Sequence, residues 1–139
     1  MLRIFSRVFL AAVVLTAAFL GTLYSIAAPA PPARTSDEAG VRVIVTPKAL
    51  GHDVKVLEFA VVMDTHVKPL NDDLMQTAVL IDSAGGRTSP TTWQGDPPGG
   101  HHRKGILQFS TPAENTKWIE LTISGAGGVA TRTFRWEVE

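Results

Sequence analysis

The chain contains no cysteine. That absence closes several routes at once: no disulfide can staple the fold, no thiolate can hold a metal or attack a substrate, and no lipid can be attached through sulfur. Charge of either sign is not in excess either, with 13 Lys and Arg against 13 Asp and Glu. Nucleic-acid binding needs clustered basic side chains, and no basic run occurs beyond the N-terminal segment, so no nucleic-acid partner is expected. There is no Gly-x-Ser-x-Gly elbow and no His-Glu-x-x-His helix, the signatures of common serine hydrolases and zinc proteases. Gly125-Ala126-Gly127-Gly128 lacks the lysine and the following helix of a phosphate loop and reads as a hairpin turn. A protein that is not an enzyme is therefore expected. Methionine is scarce as well, three residues including the initiator, which argues against a Met-rich Cu(I) site.

The N-terminus holds what the rest of the chain lacks, a long apolar run. Arg3 and Arg7 precede an uncharged stretch from Val8 to Ala28 made mostly of Val, Leu, Ala, Phe and Ile. About 20 such residues span a bilayer as a helix, and flanking arginines tend to stay on the cytoplasmic side. Residues 1–28 are thus expected to be an apolar helix serving as a signal peptide or a transmembrane anchor, with everything after them extracytoplasmic: membrane-anchored, or secreted or periplasmic. The run is longer than the roughly 7–15 residues of a signal core, yet Ser25-Ile26-Ala27 and Ile26-Ala27-Ala28 are usable cleavage motifs. Both routes remain open. If the anchor is retained, the membrane is a partner through residues 8–28.

Residues 29–40 (PAPPARTSDEAG) are rich in Pro, Ala and small polar side chains. Such a segment buries little apolar surface and is expected to be a flexible linker. Residues 41–139 are about the length of one ordinary domain. Their hydrophobic signal has a period near two, the mark of strands with one buried face. Strands are expected at 41–45, 54–63, 77–82, 88–93, 105–109, 118–123 and 131–138, with a helical turn over 71–76 capped by Asn71 or Asp72. About seven short strands with turn residues between them indicate an all-β, antiparallel, immunoglobulin-like sandwich, with a small barrel as the alternative.

Polar residues gather in two stretches, Met63 to Asp73 and Trp93 to Gly105, which contain three of the four histidines. Both fall at strand ends, where a rigid scaffold presents loops. Asp64 and His66 are two apart and share a face if the strand continues. His101 and His102 are adjacent and point oppositely on a regular strand, so they chelate together only if Gly99-Gly100 keeps the segment irregular. Asp64, His66, His101 and His102 form a candidate oxygen and nitrogen metal site of the kind that suits Cu or Zn. The competing role is structural, with these histidines only organising loops by hydrogen bonding. Calcium is less favoured, because the aspartates do not follow the spacing of a calcium loop. Trp93, Asp96 and Arg103 form a candidate ligand or partner surface, with Trp93 alternatively plugging the end of the sandwich.

The segments LEFAVVMDTH, IDSAGGR, TTWQGDPPGGHHRKGILQF and TFRWEV resemble a set of small exported bacterial proteins without an assigned activity. That resemblance implies an immunoglobulin-like β-sandwich behind a signal peptide or anchor. It rests most on the Asp-Thr-His and Gly-Gly-His-His-Arg elements and implies no catalytic residues. The expected function is a non-enzymatic extracytoplasmic binding module, with a transition metal (Cu or Zn) at the loop histidines as its candidate ligand. The alternative is a structural or protein-interaction domain with an envelope protein as partner.

Overall fold

A computed structural model describes residues 29–138, so the apolar helix expected over 1–28 lies outside the described residues. No helix among the described residues is long and apolar enough to cross a membrane. In chain order the elements are β1 (Arg34–Glu38), β2 (Val41–Pro47), β3 (Val56–Thr65), α1 (Leu74–Thr77), β4 (Ala78–Asp82), β5 (Arg87–Thr88), β6 (Thr92–Gly95), β7 (His102–Ser110), β8 (Trp118–Ser124), a 3-10 turn (Ala126–Gly128) and β9 (Thr131–Glu137). They form two antiparallel sheets, β1-β2-β3-β7-β6 and β5-β4-β8-β9. The result is an all-β sandwich of two separate sheets and not a closed barrel.

Alternation builds the core. Val41, Val43 and Val45 of β2, Leu57, Phe59, Val61 and Met63 of β3, and Leu107 and Phe109 of β7 turn inward from the first sheet. Leu80 of β4, Ile119, Leu121 and Ile123 of β8, and Phe134 and Trp136 of β9 meet them from the second. Phe59 joins the two layers: its ring lies 5.8 Å from Phe109 edge-on and 5.5 Å from Trp136 across the sandwich. Both separations suit the aromatic quadrupole.

Four elements differ from the sequence expectation. The first is the linker. Arg34–Glu38 forms an edge strand on β2, so the sandwich begins at Arg34 and not at Val41. A buried arginine on the opposite sheet explains it. Arg132, 1% exposed, donates to the Ser36 carbonyl at 3.3 Å, the Ser36 hydroxyl at 2.7 Å and the Glu38 carbonyl at 2.9 Å. Trp136 Nε1 donates to the Pro32 carbonyl at 2.7 Å. The β1–β2 turn uses Ala39 and Gly40, both with positive φ (52° and 73°), as a two-residue hairpin requires.

The second difference is the stretch expected as one strand at 88–93. It is split into β5 on one sheet and β6 on the other, with buried Pro90 at the crossing, where a residue without an N–H costs no ladder bond. The third is the helical turn, which starts later than expected. Asp73 caps it by accepting from the Met75 N–H at 2.9 Å, because Leu70 and Leu74 are both drawn into the core. The fourth is β7, which begins at His102 and not at Gly105. The glycine pair does leave the chain irregular, with φ of 116° at Gly99 and 66° at Gly100, but the ladder resumes immediately afterwards.

Since Phe59 is fully buried and touches aromatic rings of both sheets, Phe59→Ala is expected to lower the unfolding free energy by about 3–5 kcal/mol in chemical denaturation. Phe59→Leu, which keeps most of the volume, should cost clearly less.

Candidate functional site

Chain direction separates the sandwich into two ends. At one lie the start of β1, residues 48–55 and residues 111–117. At the other lie the β1–β2 turn and the loops 66–73, 96–101 and 125–130. Asp64, His66, His101 and His102 all belong to the second end, remote from the entry of the chain at Pro29.

Register determines which of them meet. Asp64, next to last on β3, stands directly opposite His102, the first residue of β7. Residues of odd number on these strands face the core, so Asp64 and His102 share the outer face with Val62 and Lys104. Asp64 Oδ1 lies 2.6 Å from His102 Nδ1, with the side chains 39% and 71% exposed respectively. An ionised carboxylate can only accept, so Nδ1 carries the proton and the Nε2 lone pair of a neutral ring is left directed elsewhere. The His66 ring sits edge-on to that of His102, 6.3 Å between centroids and 80° between planes.

His101 does not join them. It is exposed, and its recorded bond is through the backbone, where its carbonyl accepts from the Thr65 N–H at 2.9 Å. The fourth histidine, His52, is at the other end, on a shallow cavity of about 260 Å³ shared with Thr111, Glu114 and Asn115. Among the described residues, no group of three or more His, Asp or Glu side chains is arranged to hold a metal ion. The four-residue site expected from sequence is thus reduced in this geometry to two imidazoles and a carboxylate that orients one of them.

The expected partner surface of Trp93, Asp96 and Arg103 has a different character. Arg103 is 2% exposed and is not a surface residue. Its Nη1 donates to the Leu70 carbonyl at 3.1 Å and the Asp72 carbonyl at 2.7 Å, and Nη2 reaches the Asp96 carbonyl at 3.5 Å. Burial lowers its pKa from the ordinary arginine value, opposed by the charges of Asp72, Asp73 and Asp96. Its Nε has no partner among the described residues. Trp93 is half-buried, 5.7 Å from the guanidinium carbon, and its Nε1 donates to the Asp96 carbonyl at 2.9 Å. Gly95 and Gly105 make room for the indole, since a Cβ on either would come within 2.7 Å of a ring carbon. Asp96 itself accepts from the Lys104 N–H at 2.9 Å. These three residues hold the loops together.

The same loops are tied by backbone bonds from Leu70 N–H to Gly100 O and Gly99 N–H to Leu70 O, at 2.9 and 2.8 Å. Buried Thr65 adds a bond from its hydroxyl to the Gly40 carbonyl at 3.1 Å. The architecture of this end therefore rests on Arg103, Thr65 and the main chain, while Asp64, His66 and His102 stand outside it. Sequence reasoning missed the inward direction of Arg103 and Arg132. Position was the available signal: Arg103 is in phase with Leu107 and Phe109, and Arg132 with Phe134 and Trp136.

Unequal stability effects follow. Arg103→Ala removes donors from buried carbonyls and is expected to cost about 3 kcal/mol or more. Asp64→Ala breaks only an exposed pair and should cost less than about 1 kcal/mol, both read from denaturant midpoints. No family model matches the chain, and neither a curated protein nor a solved structure does.

Proposed function

We propose that this chain is a non-enzymatic, extracytoplasmic binding module of immunoglobulin-like form, whose ligand is a transition metal held at the loop end by His66 and His102. Strand order supports the form. In an immunoglobulin constant-type domain the sheets run A-B-E-D and C-F-G; here β2-β3-β7-β6 and β4-β8-β9 follow those orders, with β1 and β5 added at the edges. His66 then sits on the loop equivalent to B–C, at the end of the sandwich where such domains commonly present binding loops. The arginines before the Val8–Ala28 run support placement outside the cytoplasm.

The observation that carries the ligand is the Asp64–His102 pair with His66 beside it. A carboxylate on Nδ1 of a metal-binding imidazole fixes its tautomer and raises its basicity, leaving Nε2 to bind. His66 is exposed and makes no side-chain hydrogen bond among the described residues, so it can turn toward an ion held by His102. Nitrogen ligands favour Cu(II) or Zn(II) over the harder cations. The metal set proposed is therefore His66 and His102, with Asp64 supporting His102 and His101 outside it.

Calorimetric titration with Cu(II) and Zn(II) near neutral pH tests this. Stoichiometric binding is expected in the native chain and in His101→Ala, and its loss in His66→Ala/His102→Ala. Equal, weak heats in all three chains would refute the metal and direct the search to an envelope protein as the partner of this end.

A further inference from the structure

We propose that the metal bound at His66 and His102 is shared with a second copy of this chain, so that the ion joins two molecules through the outer face of the β1-β2-β3-β7-β6 sheet. This rests on the metal reading above and adds the partner. Its starting point is a shortage of ligands. Asp64 is occupied by His102 Nδ1, His101 makes its bond through its backbone carbonyl, and among the described residues no group of three or more His, Asp or Glu side chains is placed to hold a metal ion. One chain thus supplies two nitrogens, whereas a closed zinc site takes four ligands in a tetrahedron. The missing pair has to come from solvent or from another molecule.

Geometry allows the two nitrogens on one ion. With metal–nitrogen bonds of about 2.0–2.1 Å, two imidazoles on the same ion have centroids roughly 5–6 Å apart. The observed 6.3 Å is close to that range, and both residues are exposed. A two-fold axis through the ion then places the same pair of rings from a second copy in the remaining positions, as an isologous contact requires.

The surroundings suit a copy of the same surface. Val62 and Val67 are two of the exposed large apolar residues, at 37% and 64% exposure. Val62 lies on the same face two residues before Asp64, and Val67 follows His66. Around them the paired rows Asp37–Arg42–Asp64 and Val62–Lys104 carry Asp37 and Asp64 against Arg42 and Lys104. Arg42 already bonds Asp37 at 2.9 Å. Charge on the face is balanced, so two copies meet without net repulsion, and the valines supply a small dry contact beside the ion.

Native mass spectrometry of the full chain released from detergent micelles, with zinc(II) as the probe, reads metal and chain stoichiometry together. The expected species is two chains with one zinc, absent without zinc and absent in His66→Ala/His102→Ala. Val62→Lys should lose the dimer while retaining zinc on the single chain, because it charges the contact without touching a ligand. One chain with one zinc in the native protein would overturn the bridge and leave the metal reading standing. Failure of the native chain to retain zinc(II), and copper(II) in the same measurement, would overturn both. Dimers that persist in the histidine variant would also overturn the bridge, assigning association to another surface.

Discussion

A guanidinium buried without a carboxylate must find carbonyl oxygens, and much of this molecule is arranged around that requirement. Desolvation disfavours the cation, and only several hydrogen bonds at once offset it. Arg103 draws the carbonyls of Leu70, Asp72 and Asp96 around itself. Arg132 does the same with Ala126, Ser36 and Glu38. Each therefore brings together segments distant in sequence. One gathers the loops after β3 and β6, and the other draws β1 from the opposite sheet toward β9. Loop carbonyls with no ladder partner are satisfied in the same step.

That division of labour bears on the histidines. Had they been the bonds that close the loop end, their chemistry would have been committed to structure. Because Arg103, Thr65 and the backbone close it, the outer-face pair of Asp64 and His102 and the neighbouring His66 are left exposed on a rigid base. A strand register sets Asp64 against His102, and registers tolerate no one-residue error when one face is buried. The backbone positions of the pair are thus set by the same register as the core beneath it, although the pair contributes little to stability itself.

Much of the fold was legible from the period-two pattern. Its apolar phase marked the strands that form the cores of both sheets, from Val41 through Trp136, and the Gly and Pro residues marked most of the turns. The edges were less legible. Arg34–Glu38 has no apolar face of its own; Arg132 donates to its Ser36 and Glu38 carbonyls, and Trp136 to that of Pro32 just before it. The Ala39-Gly40 turn carries a weaker signal than Asn-Gly. β7 extends back from the expected Gly105 to His102, with Arg103, a charged residue, in the apolar phase of Leu107 and Phe109. For the site, Asp64, His66 and His102 were identified as candidates, while the inclusion of His101 depended on whether the ladder resumed before or after His102.

By itself, the sequence determined the class of fold and the absence of thiol chemistry. Both follow from local composition and alternation, which act over a few residues at a time. Only the tertiary structure decided that β1 belongs to the sandwich, that two arginines point inward, and that His102 meets Asp64 while His101 does not. Those outcomes depend on register and on carbonyl partners as much as 104 residues away. Such contacts leave no periodic trace in the chain, because the buried guanidinium and the oxygens it needs are brought together only when the two sheets close.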